Sequence, residues 1–371
     1  MIYIHVPFCG SFCTYCDFYS EICRSRQAFN EYADAVIAEI RDRQKELEMN
    51  MSAQDAVNTL YIGGGTPSVL PLDVLSRIVG AVTEPAEVTS PFEEFTIEVN
   101  PEDIVEKGSE YVRGLLALGV NRISMGVQSF NDDILRWMNR RHDAGNAVKA
   151  FHILRESGVR NISIDLIFGI SQLTDEIWKD TIEKALELAP EHISAYQLSI
   201  EEGSALAKMV ADGRYVEATD EQCRRLYDIL CQSLRLAGYH HYEISNFAKP
   251  GFEAIHNSAY WRRAPYIGLG PGAHSLSGNV RSWNSQKLPH RNIVTYSRNF
   301  ETLSPEDIRV ERIMLSLRTD KGLETTELYS LADRTVIETL LNEGALELHG
   351  TRIRIPEDRL FTSDEIIREL I

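Results

Sequence analysis

"CGSFCTYCDF", residues 9–18, places three cysteines within eight positions near the start of a 371-residue chain. The apolar run "MIYIHVPF" leads into it and predicts a buried strand, so Cys9, Cys13 and Cys16 fall on the loop leaving that strand's C-terminal end. Two chemistries use thiolates spaced C-x3-C-x2-C. Structural zinc closes a tetrahedral set of four Cys or His ligands. No second Cys pair follows at zinc spacing, although Cys23 comes seven residues after Cys16 and His5 precedes the triplet. A [4Fe-4S] cubane normally takes one thiolate per iron, and three thiolates leave one iron open to a small molecule bearing an amine and a carboxylate. S-adenosylmethionine offers that pair.

Working outward, strand-like and helix-like stretches alternate, which predicts parallel strands joined by crossover helices. Strands are expected at residues 1–6 and in "VNTLYIGGG", "EEFTIEVNP", "GVNRISMGVQSF", "VRNISIDLIFGI" and "PEHISAYQLSIEEG". Between the first two, "RQAFNEYADAVIAEI" sets Phe29, Tyr32, Ala33, Val36, Ile37 and Ile40 on one helical face. The expected fold is therefore α/β, a partial (β/α)6 TIM-like barrel over residues 1–240, with its chemistry at the C-terminal ends of the strands. Residues 241–302, rich in aromatics, Gly and Pro, read as an extension closing the barrel mouth. Residues 303–371 read as a small α+β winged-helix-like domain in which "HGTR" is a hairpin turn.

Charge restricts the partners. The chain carries 38 Lys plus Arg against 55 Asp plus Glu, a net charge of -17. Nucleic-acid affinity comes mostly from cations neutralising phosphates, so no nucleic-acid partner is expected. The same holds for the winged-helix-like segment, where residues 301–371 hold 9 Lys plus Arg against 16 Asp plus Glu, a difference of -7. No run reaches the roughly 20 apolar residues of a membrane span and no signal peptide is evident, so a cytoplasmic protein with reduced thiols is expected. Cys223 and Cys231 share a helical stripe with Leu226, Tyr227, Leu230 and Leu234 and read as core; Cys23 reads as packing near the first helix.

The cysteine spacing, placed after the first strand, resembles the radical S-adenosylmethionine superfamily. In "YIGGGTPS" the bare backbone of Gly63 to Gly65 suits an amino group, and the alternative is an ordinary tight turn. Glu98 ends the third strand, Gln128 and Arg140 flank the exit of the fourth, where Arg can grip a carboxylate, and Asp165 suits ribose hydroxyls. "YIHVPFC", "GGGTPS", "GVQSF", "NRRH" and "IDLIFG" are similar to the oxygen-independent coproporphyrinogen III oxidase family over nearly the whole chain. The resemblance implies cluster ligands Cys9, Cys13 and Cys16. It also implies S-adenosylmethionine contacts at Tyr3, Tyr15, Gly64, Gly65, Thr66, Glu98, Gln128, Arg140, Asp165 and Ser199, and a backbone contact near His274.

Within that family the oxidase has a further Cys two places after the third ligand, where this chain has Phe18, and an extension before its first barrel strand, which here begins at Met1. With "HNSAYW" at His256 to Trp261, the chain resembles the family's haem chaperone branch. That resemblance implies binding of haem, a cluster and S-adenosylmethionine, transfer of haem to apo-haemoproteins such as respiratory enzymes, and a homodimer. His256 is a candidate iron ligand, with Tyr260 and Trp261 covering the porphyrin and Arg262 and Arg263 pairing with propionates; the alternative is that His256, Tyr260 and Trp261 simply pack. His240 and His241 are a weaker doublet, since one of two neighbours on a strand faces solvent. The competing reading is the oxidase, cleaving S-adenosylmethionine to a radical that abstracts hydrogen from a porphyrinogen propionate side chain.

Overall fold

The computed structural model describes residues 1–53, 55–84, 92–286 and 296–371. Strands β1 (Ile2–Val6), β2 (Thr59–Gly64), β3 (Glu94–Val99), β4 (Arg122–Gln128), β5 (Ile162–Phe168) and β6 (His192–Gln197) lie side by side and parallel, in chain order. Helices α1 (Arg26–Asp42), α2 (Leu72–Thr83), α3 (Pro101–Ala117), α4 (Ala144–Glu156) and α5 (Asp175–Glu187) make the crossovers, and α6 (Asp220–Leu236) follows β6. The near-continuous burial of β5 is what a strand covered on both faces requires. Beyond β6 the sheet continues with β8 (Asn246–Ala248) and then β7 (His240–Glu243), both pairings antiparallel; β9 (Ile267–Leu269) adds parallel to β1 at the other edge. The two edges do not pair among the described residues, so the barrel is open, as a partial (β/α)6 fold demands.

Periodicity locates the faces well. The buried residues of α6 are Cys223, Leu226, Tyr227, Leu230, Cys231 and Leu234, so both cysteines belong to the core. On α1 the apolar face is buried apart from Ile37, which is half-buried. Past β9, an antiparallel sheet of β10 (His274–Ser277), β11 (Val280–Asn284) and β12 (Arg298–Thr302) leads to helix α8 (Pro305–Leu317). From there the chain builds a separate small core running from Ile313 to Leu370. A hairpin of β14 (Glu347–His349) and β15 (Arg352–Arg354) turns at "HGTR", with Gly350 at φ 63, and β13 (Leu323–Glu324) pairs with β15.

One placement differs from the expectation. "HNSAYW" lies on helix α7 (Ile255–Trp261), which sits at the N-terminal ends of the strands and not at the barrel mouth. Its backbone N–H groups at Ile255 and His256 donate to the carboxylate of Glu94, the first residue of β3, at 2.8 and 3.0 Å. Ala259 packs against Met1. Strand count explains this: β8 runs antiparallel to β6, so the chain leaves it at the base of the sheet, and only β9 carries it back to the top. There Gly270 and Gly272 approach His5 and Tyr19 at the mouth.

Candidate functional site

The cysteine loop is held on three sides. The Thr14 N–H donates to Met138 O at 3.0 Å and its hydroxyl to Trp137 O at 2.9 Å; Asn139 Nδ2 donates to Phe12 O at 2.7 Å; Leu206 N–H donates to Thr14 O at 2.8 Å. The glycine loop after β2 is zipped to it, with Gly65 N–H on Val6 O at 2.8 Å and Thr66 N–H on Phe8 O at 2.7 Å. Glycine is required for that approach. A Cβ at Gly65 would stand 2.7 Å from Phe8 O and 3.0 Å from Cys9 Sγ, and Gly64 has φ +110, a conformation that side-chain-bearing residues rarely adopt.

Cys9, Cys13 and Cys16 line one cavity of about 470 Å³. Burial pushes the Cys9 thiol up and the Cys16 thiol up to about 11, so thiolates here need a cation to carry, which metal supplies. Arg140 Nη1 lies 3.3 Å from Cys13 Sγ, and Thr66 Oγ1 lies 3.5 Å from Cys9 Sγ. Among the described residues no group of three or more Cys, His, Asp or Glu side chains is already drawn together around the position of a single ion, Cys9, Cys13 and Cys16 included. His5 is engaged at Nδ1 by the Tyr3 hydroxyl at 3.1 Å and at Nε2 by Tyr19 O at 2.8 Å. Three thiols on one cavity wall fit a cluster with an open position better. Cys23 is off that wall, packed against the main core.

Tyr15, Gly64, Gly65, Thr66, Glu98, Gln128, Arg140, Asp165 and Ser199 line the same cavity. Glu98 accepts from the Tyr61 hydroxyl at 2.8 Å and from Gly64 N–H at 3.1 Å. Burial pushes its carboxyl up to about 7, and nearby Asp165 adds to the rise. Gln128 has φ 67, and the ladder between β4 and β5 slips between Gly126 and Gln128. Such backbone strain, maintained by its surroundings, re-aims a side chain at the end of a strand. Arg140 Nη2 donates to Asn100 Oδ1 and Gly126 O, each at 2.7 Å, leaving its buried Nε without a hydrogen bond among the described residues. Asp165 accepts from the Ser124 hydroxyl at 3.1 and 3.0 Å, and burial raises its pKa.

Other candidates lie elsewhere. Tyr3 and His274 are off the cavity; His274 stacks on Trp283 at 5.8 Å between centroids. His256 is 1% exposed, its Nδ1 on the Thr59 hydroxyl at 2.8 Å and its Nε2 on the Tyr260 hydroxyl at 3.1 Å. Burial pulls its pKa down to about 3, so the ring is a neutral, fully engaged core group. Arg263 is taken by Glu311 at 2.6 Å. The doublet separates: His241 is buried and stacked on Phe247 at 4.1 Å, while His240 faces outward between Glu253 and Asp320. Trp261 and Arg262 line a second cavity of about 480 Å³.

Residue patterns missed part of the main cavity. Asn257 of α7 reaches it from below, and Tyr61, Asn100 and Arg122 line it too. Arg122 is 1% exposed and makes no hydrogen bond or salt bridge among the described residues, with Glu94 and Asp165 as its charged neighbours. Asn100 had a signal, in "EVNPE" at the end of β3; Arg122, opening β4, had none, since an Arg at the start of an apolar run reads as an edge.

The described residues include no helix long and apolar enough to cross a membrane. A family model described as the radical SAM superfamily matches residues 3–185. The chain is 35% identical to the haem chaperone HemW of Bacillus subtilis, over 86% of this chain and 84% of that one. It is 34% identical to the HemW of Lactococcus lactis, over 95% and 89% of the two chains. Among solved structures, coproporphyrinogen III oxidase (HemN) from Escherichia coli aligns with TM-score 0.79 and 23% identity, covering 99% of this chain and 89% of that one, which establishes a shared fold.

Proposed function

Because the chain belongs to the HemW branch of the oxygen-independent coproporphyrinogen III oxidase-like family of radical S-adenosylmethionine proteins, we propose that it is a haem chaperone that carries a [4Fe-4S] cluster with S-adenosylmethionine and passes haem to apo-haemoproteins. Support comes from relatives named as haem chaperones that align over most of both chains, joined to the gathering of three thiols and a polar rim on one cavity. Cys9, Cys13 and Cys16 would hold the cluster, which supplies an open iron to chelate the ligand's amino and carboxylate groups. Glu98 and the glycine loop set a wall of hydrogen-bond acceptors suited to the N–H groups of an amine. Arg140, always charged, attracts a carboxylate toward the thiol loop. Asp165, supported by Ser124, accepts from ribose hydroxyls.

The test follows the anaerobically reconstituted full chain with haemin and, separately, with coproporphyrinogen III, each with S-adenosylmethionine and reductant. Haem binding, transfer to an apo-acceptor and no decarboxylated product are expected. Porphyrinogen turnover that disappears in Cys13→Ala would establish an oxidase instead.

A further inference from the structure

Resting on that reading, we infer that Arg122 is a positioning cation of the S-adenosylmethionine site: from the floor of the main cavity it keeps Glu98 and Asp165 available together as acceptors for the ligand's amino group and ribose. It bonds to neither carboxylate and acts through the field of its charge.

Strand register builds the arrangement. Residues two apart on a strand share a face. Thr96 pairs with Arg122, Glu98 with Ser124, Ser124 with Ser163 and Asp165 with Ser194, so the cavity wall across β3 to β6 is made of polar layers. Arg122 stands one layer below Glu98. Glu94 lies four residues down the strand from Glu98, about 13 Å away.

The Arg122 side chain lines the cavity, is 1% exposed, and makes no hydrogen bond or salt bridge among the described residues. A buried cation without a bonded partner is costly, so its neighbours explain why it persists. At the base, Glu94 is already engaged by the N–H groups of Ile255 and His256. Tyr61 and Tyr242 are phenols that burial keeps neutral. His192 and His256 are kept neutral by burial, and the Arg122 charge adds to that effect. On the ligand side stand Glu98 and Asp165. Burial raises both, Asp165 raises Glu98 further, and the Arg122 charge opposes the rise in each. The other groups facing Glu98, Tyr3 and Tyr196, are phenols that burial keeps neutral. Without the cation, two buried carboxylates repel each other in one cavity, and a proton taken up by either removes an acceptor from the ligand.

The experiment measures S-adenosylmethionine binding to the cluster-loaded full chain by equilibrium dialysis, each variant against wild type at pH 7 and at pH 9. A carboxylate half ionised at pH 7 that moves up one pH unit is about one eleventh ionised there and about nine tenths ionised at pH 9. Arg122→Met is therefore expected to weaken binding about fivefold at pH 7 and less than about twofold at pH 9, whereas a packing role moves both values alike. Arg122→Lys, which keeps the charge, is expected to stay within about twofold of wild type at both. Arg122→Met combined with Glu94→Gln removes the cation together with the carboxylate it offsets at the base, which protects the fold, and the loss at pH 7 is expected to persist. If wild type binds and the Met variants lose nothing, or lose equally at both pH values, or if the Lys variant behaves like them, Arg122 has no such role and the S-adenosylmethionine site stands. If wild type binds no S-adenosylmethionine, that site falls and this role with it.

Discussion

Changing Glu98→Gln should remove the part of S-adenosylmethionine's pH dependence that is centred near pH 7. The carboxyl is buried between the Tyr61 hydroxyl, Gly64 N–H, Asp165 and Arg122, and its pKa stands at about 7. If only the ionised form accepts from the ligand's amino group, the competent fraction is about one tenth at pH 6 and about nine tenths at pH 8, so this carboxylate alone raises apparent affinity about tenfold across that interval. An amino group bound to iron must give up its proton, which an α-amino group does near pH 8, so this adds a second rise that wild type and variant share. Glu98→Gln should bind at least tenfold more weakly at pH 7.5 and lose the tenfold part of the rise centred near pH 7. The same shift bears on folding. A carboxyl raised from 4.5 to about 7 contributes stability that is fully present below pH 4.5 and is lost as pH rises through about 7, amounting to about 3 kcal/mol. Equilibrium dialysis of the cluster-loaded protein from pH 6 to pH 9 measures the binding arm. A variant that keeps the wild-type rise near pH 7, or binds as tightly, would refute the assignment of Glu98 to the amino group.

Gly64→Ala forces a Cβ to within 2.6 Å of the His5 ring at φ +110; a loss of roughly 1–3 kcal/mol and a lower iron content after reconstitution are expected, read by thermal unfolding and iron assay. His256 is held neutral with its pKa near 3, below the ordinary 6.5, so the unfolded chain takes the proton first and stability falls as pH drops below 6.5. The stability difference between wild type and His256→Leu should therefore shrink by about 2 kcal/mol between pH 7 and pH 5, measured by urea unfolding; a constant difference would show that the ring is not held neutral. Arg122→Met removes a buried cation whose charge offsets Glu94 and Asp165, so ligand-free stability should fall by about 3 kcal/mol in urea unfolding; a loss within about 1 kcal/mol would show that those carboxylates do not depend on it.

Much of this was legible because the signals were local. The α6 stripe follows from helical period alone, and the strand-loop positions of "CGSFC", "GGGTPS" and "IDLIFG" follow from apolar runs ending in Gly or Cys. Glu98 and Asp165 were found because each closes or punctuates a strand. The position of "HNSAYW" was not legible, because it depends on the direction in which short β8 pairs with β6, and a three-residue strand carries no periodic signal of its direction. Nor could His240 and His241 be told apart: alternation assigns them to opposite faces without saying which face meets α6. Only the approach of His241 Nε2 to the Tyr227 hydroxyl of α6, at 3.3 Å, decides that.

Helix α7 contributes Asn257 to the cavity of the cysteines and Trp261 to the second cavity, four residues apart and so on one face about one turn along the helix. Glu94 pins the start of that helix from the same strand that carries Glu98. Because Glu94 and Glu98 stand on one short strand, a shift of β3 along its axis would move the start of α7 and the carboxylate in the cavity of the cysteines together.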